Sequence, residues 1–163
     1  MANNICKTSA DAESYWRKSV KRLRARKASD EGFFLITLDR GRHFTGCHRL
    51  GLKGIGAPES FAREVIGSPF LNGVGEFIVL HNRPGVSPVA DEQSKARARA
   101  LIVAGRPKGY DLLDYLIRGK PNEKPLRAFL RLCRSLSFCE DGPLPPKLKR
   151  ATRQAKAQGE AEK

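Results

Sequence analysis

The chain has no apolar run long enough to cross a membrane; its longest clear one, Phe77-Ile78-Val79-Leu80, fits a single strand. Its opening stretch, MANNICKTSADAESYW, lacks the apolar segment of a signal peptide. The four cysteines, Cys6, Cys47, Cys133 and Cys139, form no CxxC pair. Without an export signal they are expected as reduced thiols, in a cytoplasmic protein with no membrane partner. No helix-turn-helix, zinc-finger or aromatic RNP-like pattern is present, so sequence-specific nucleic-acid recognition by those devices is excluded.

Acidic residues are also scarce. Seventeen Asp and Glu face 31 Lys and Arg, a formal net charge of +14 over 163 residues. Much of the excess lies toward the two ends. Residues 17–27, RKSVKRLRARK, hold seven basic residues in eleven positions, and the tail KLKRATRQAKAQGEAEK holds six basic against two acidic. Clustered cations attract polyanions because neutralised phosphates release their condensed counterions. Arg17, Lys18, Lys21, Arg22, Arg24, Arg26 and Lys27 are therefore the candidate contacts for nucleic acid or an acidic protein. The competing reading is a solvated helix face and a solubilising tail.

The length suits one domain with modest tails. The pattern divides it into a basic N-terminal arm, residues 1–28, helical in part; a domain over 29–145; and a disordered tail over 146–163, after Pro143, Pro145 and Pro146. Within the domain, GFFLITLD (32–39) is aromatic and β-branched, and predicts a strand. A turn at Arg40–Arg42 leads to a second strand over 43–50, completing a hairpin. APESFAREVIG predicts a short helix with Pro58 near its start and Phe61, Val65 and Ile66 along one side.

EFIVLH (76–81) suits a buried central strand, and a helix opens at Asp91 and Glu92 and closes at Gly105 and Pro107. DLLDYLIRG predicts another strand. From Pro125 to Leu136, Leu126, Phe129, Leu130 and Cys133 fall at helical spacing, with Arg127, Arg131 and Arg134 on another face, so a further amphipathic helix covering the core is expected. Cys133 and Cys139 are then expected as buried thiols. Alternating strands and helices favour an α/β fold.

The stretch LHNRPGVSPVADEQS carries the chemistry. A histidine at the end of a buried strand is held accurately at the sheet rim. H-x-H at a strand end would aim two imidazoles the same way, because strand side chains alternate. A carboxylate from the next helix could complete three zinc ligands, leaving the fourth position for water, and a neighbouring glutamate could take that water's proton.

In this arrangement the chain resembles the RadC branch of the JAB/MPN (JAMM) family, whose motif is a distant Glu, then H-x-H, ten residues, and Asp. HNRPG (81–85) stands where the family typically reads HNHPSG. EGFFLITLD (31–39) is similar to its E-x-F-x-V-L-x-L-D strand, and PESFAREVI (58–66) to its P-R-E-I-F-K-x-A helix. LLDYLI (112–117) is similar to its L-L-D-H-I-I strand, and SFCEDGPLP (137–145) to its closing S-F-x-E-x-G-L. The resemblance implies a single JAB/MPN-like, cytidine-deaminase-like α/β domain with a mixed sheet flanked by helices. It also implies a zinc metallohydrolase of the metallopeptidase or isopeptidase type.

The site positions depart from that pattern. His81 matches the first histidine ligand, and Glu31, eight residues before Asp39, matches the catalytic glutamate as general base. Arg83 occupies the second histidine position, Ser94 the aspartate position, and Gly85 the place of the loop serine. Asp91 stands at the helix-start serine and, three residues from Ser94, is a possible substitute ligand. Arg83 cannot substitute, because a guanidinium is permanently charged and offers only donors. Like charges about 4 Å apart repel by roughly 4 kcal/mol even with screening. Zinc, implied by the resemblance, is therefore expected to bind weakly or not at all, and inactivity is favoured.

Glu31 is expected to pair with Arg83 as a salt bridge in place of the metal. His43 and His48 are read as ordinary hairpin histidines. Lys95, Arg97 and Arg99 follow on the next helix, where Arg97 and Arg99 cannot both face the cleft. The leading expectation is a nucleic-acid-associated or protein-binding module. The alternative is an active zinc-dependent hydrolase with rearranged ligands.

Overall fold

Six strands form one mixed sheet in a computed structural model of the chain, which describes residues 4–22, 31–51, 56–89, 91–129 and 137–139. In chain order the elements are α1 (Ser9–Arg22), β1 (Gly32–Leu38), β2 (Phe44–Leu50), α2 (Pro58–Ile66), β3 (Glu76–Asn82), α3 (Glu92–Gly105), β4 (Asp111–Arg118), β5 (Leu126–Phe129) and β6 (Ser137–Cys139). The sheet order is β2-β1-β3-β4-β5-β6, and only the β3–β4 pair is parallel. A parallel pair needs a crossover, and α3 supplies it. The architecture is the α/β, mixed-sheet domain expected from the sequence.

The sheet is covered on both faces. On one, Phe33, Leu35, Val79, Tyr115 and Ile117 pack against α2 and α3, which contribute Phe61, Val65, Ala98 and Leu101. On the other, Phe34, Ile36, Ile78, Leu80 and Leu116 pack with Ala12 and Trp16 of α1. Period-two alternation along β1 and β3 sends neighbours to opposite cores, so both strands read as continuous apolar runs.

The start of the stretch read as a basic arm lies on the sheet. Thr8 and Asp11 form a capping box: the Thr8 N–H donates to Asp11 Oδ2 at 2.8 Å, and the Asp11 N–H to Thr8 Oγ1 at 3.3 Å. The helix then buries Ala12 and Trp16. Trp16 meets Phe34 edge-on at 5.5 Å between centroids, and the Arg118 guanidinium lies 4.7 Å over the Trp16 ring. Arg118 also donates from Nε to Glu13 Oε1 and from Nη1 to Asn82 Oδ1, both at 3.2 Å. Of the arm's cations, Arg17, Lys18, Lys21 and Arg22 lie on the exposed side of α1, while Arg24, Arg26 and Lys27 lie outside the described residues, as does the tail over 146–163.

One expected element is overturned. Where the sequence predicts a helix from Pro125, residues Leu126–Phe129 form β5, which pairs antiparallel with β4 through Leu116↔Arg127 and Ile117↔Leu126. The open edge of β4 offers a ladder of backbone partners, and over Leu126–Phe129 this outweighs the local helical spacing. β6 then pairs with β5; residues 130–136, and with them Cys133, lie outside the described residues. Cys6 and Cys47 are free thiols, each pushed up to about 12 by burial. Among the described residues no helix is long and apolar enough to cross a membrane.

Candidate functional site

The C-terminal end of β3 carries the site. In the sheet His81 pairs with Phe33 of β1 and Ile117 of β4, which makes it a residue of the buried centre rather than of a loop. Its ring stacks on Phe33 with centroids 4.0 Å apart and planes 18° from parallel. Gly32 is the register partner of Asn82, so the residue before β1, Glu31, comes level with the residue after β3, Arg83. The register thus delivers the meeting of Glu31, His81 and Arg83 that motif spacing only suggests.

Glu31 Oε1 lies 3.3 Å from His81 Nε2 and 3.8 Å from Arg83 Nε. Arg83 also reaches Asp91, Nη1 to Oδ2 at 3.3 Å, while its own N–H donates to the Arg118 carbonyl at 2.7 Å. Asp91 serves two elements. Its Oδ1 accepts the Ser94 N–H at 2.7 Å and caps α3, and its Oδ2 holds Arg83. Ser94 is buried two residues into that helix.

One turn further on, the buried Arg97 places its guanidinium 5.2 Å over the Phe33 ring and 5.5 Å over that of Phe61. Arg99 is exposed, as the helical geometry requires if Arg97 faces inward. Lys95 turns to Glu92, Nζ to Oε1 at 2.9 Å. The hairpin histidines lie elsewhere: His43 pairs with Asp39 at 3.0 Å, and His48 stacks on Phe70.

Glu31, Phe33, His81, Arg83, Asp91 and Arg97 line a cleft of about 430 Å³, with Arg49 of β2 completing its rim. Arg49 and the clamp role of Phe33 escape sequence reasoning. Only the β1–β2 register, which sets Arg49 beside Phe34, brings this arginine near Glu31. The electrostatics follow from three guanidiniums facing two carboxylates. Burial, then the Arg97 and Arg83 charges, push the His81 imidazole down to about 4, against an opposing pull from Glu31. Burial pushes the Asp91 carboxyl up, but the Ser94 hydrogen bonds and the charges of Arg83 and Arg97 outweigh it and hold the group below its ordinary value.

A zinc ion of the kind the family resemblance implies does not fit this donor set. Of the three ligand positions, only His81 offers a lone pair suited to the metal; Arg83 presents N–H donors, and Ser94 is buried in α3. Asp91, the possible substitute, already caps the helix and holds Arg83. Among the described residues no three His, Cys, Asp or Glu side chains converge as metal ligands.

Comparison with known proteins places this geometry in context. The profile described as RadC-like JAB domain matches residues 6–127, which include α1 and every residue of the cleft. Two proteins, each named UPF0758 protein, are similar to the chain. That of Syntrophomonas wolfei is 28% identical over 98 residues, 60% of this chain and 42% of the relative. That of Moorella thermoacetica is 26% identical over 89 residues, 55% and 39% respectively. The chain thus spans about two fifths of the relatives it matches. With most of its length matched by one family profile, this chain belongs to the RadC-like JAB domain family.

Proposed function

We propose that this chain is a non-hydrolytic RadC-like module, in which an arginine–carboxylate cluster stands where the family's zinc would stand, and which associates with nucleic acid through α1. The observation that carries the reading is Arg83, ion-paired to both Glu31 and Asp91 beside His81. That cluster supplies a fixed guanidinium but neither a Lewis acid nor an activated water, the two things a zinc hydrolase needs. The binding half of the proposal is supported by Lys18, Lys21 and Arg22. They are exposed on the side of α1 away from Ala12 and Trp16, so a polyanion can reach them without disturbing the core.

Restoring the family's ligands by Arg83→His with Ser94→Asp tests the first half. The double variant is expected to gain zinc affinity that the parent lacks; equal zinc binding by both would count against the reading. The second half is tested by titrating a short single-stranded oligonucleotide at rising salt. Affinity should fall steeply, and neutralising Lys18, Lys21 and Arg22 should flatten the salt slope by about three counterions at most. An unchanged slope would shift the proposal to an acidic protein partner or remove the role of α1.

A further inference from the structure

We propose that the cleft over His81 is a receptor for a free peptide carboxylate, which takes the place that Glu31 fills against Arg83. The inference rests on the reading that zinc does not occupy that place.

Three observations carry it. Glu31 precedes β1, its side chain is 68% exposed, and its carboxylate meets His81 and Arg83 in the cleft at 3.3 and 3.8 Å. It behaves as a tethered stand-in that an incoming carboxylate can displace. In the same cleft, Arg97 is more than nine-tenths buried, and its Nε has no hydrogen-bond partner among the described residues. The His81 Nε2 faces the Glu31 carboxylate, so this neutral ring donates there and its Nδ1 is an acceptor that plays no part in anion binding. A buried donor without a partner is costly, so the Arg97 Nε beside this cleft points to an anionic ligand that completes it. Third, the cleft's volume of about 430 Å³ exceeds what a carboxylate alone needs and suits the end of a short peptide.

The chemistry favours a carboxylate over a phosphate. Arg83 already holds two carboxylates, and the planar guanidinium matches that group in paired geometry. Asp91 is fixed by capping α3 and stays when Glu31 leaves. Its charge opposes a dianion more strongly than a monoanion.

The test is a titration of the full chain with chelator present, followed through the backbone amides of Gly32 and Arg97. The probes are acetyl-Ala-Gly-Gly as the free acid, its C-terminal amide, acetyl-Ala-Asp-Gly amide, and inorganic phosphate. A carboxylate peptide should bind at least about tenfold more tightly than the neutral amide, the difference of a charged hydrogen bond. Preference for the free acid assigns a chain terminus, and preference for the Asp peptide assigns an acidic side chain. Glu31→Ala should tighten carboxylate binding several-fold, and Arg83→Gln should weaken it. Because Glu31 is exposed, its variant keeps the test open even if Arg83→Gln fails to fold. Binding of neither carboxylate peptide more tightly than the neutral amide, phosphate binding as tight as the peptides, or no gain in Glu31→Ala overturns the proposal. Zinc content, measured separately without chelator, reports on the metal-free reading by itself.

Discussion

Acidifying the solution from pH 7 toward 4 should weaken the fold through His81. Its imidazole is buried in the sheet against Phe33, and burial together with Arg97 and Arg83 brings it down to about 4 from an ordinary 6.5. In the unfolded chain the same group takes up a proton near 6.5. Between those values the unfolded state therefore binds more protons, and falling pH drains stability from the folded one. The contribution is intact above about 6.5, declines through the window, and is fully lost below about 4. A gap of about 2.5 units corresponds to about 3 kcal/mol, a large share of a typical domain's stability.

His48, lowered by burial, acts in the same direction, so the raw slope is not the readout. Urea unfolding of the parent and of His81→Gln at several pH values separates them. The variant's stability should fall less steeply than the parent's between pH 6.5 and 4. Parallel curves would refute the electrostatic account of the cleft.

Other consequences are as specific. Glu13→Ala removes a partner of the buried Arg118 and should cost about 2 kcal/mol in thermal or urea unfolding, more than an exposed ion pair would. Trp16→Ala should cost about 3 kcal/mol or more if α1 is part of the folded unit; a near-neutral result would return α1 to the status of an arm. Gly119→Ala would set a Cβ 2.5 Å from the Val86 carbonyl oxygen and Pro88 Cδ, displacing the loop that follows β3. It should destabilise by about 1–3 kcal/mol and shift the amide resonances of His81 and Arg83.

Much of the fold is legible in the sequence because its strongest signals are local. β1 and β3 are unbroken apolar runs, and α2 announces itself through Pro58 and a spaced apolar face. α3 begins where Asp91 can cap it. What stays hidden depends on distant partners. Nothing within residues 125–136 reveals that β4 leaves an edge to be paired, so helical spacing there misleads. The seven cations of residues 17–27 draw the eye from Ala12 and Trp16, whose four-residue spacing marks a buried face.

The candidate site divides the same way. His81, Glu31, Arg83 and Asp91 are found by matching the chain to the motif of the family it resembles, and the sheet register brings them together. Arg49 and the Phe33–Arg97 clamp are set by strand pairing and helix packing, which spacing along one segment does not encode.

The most direct test of the central claim is the zinc content of the full chain, expressed without a metal-affinity tag and equilibrated with zinc before desalting. Arg83 in the ligand position predicts a negligible amount of retained metal, unchanged in His81→Ala. Near-stoichiometric zinc that is lost in His81→Ala would contradict the account, and would mean that other ligands rebuild the site around Arg83.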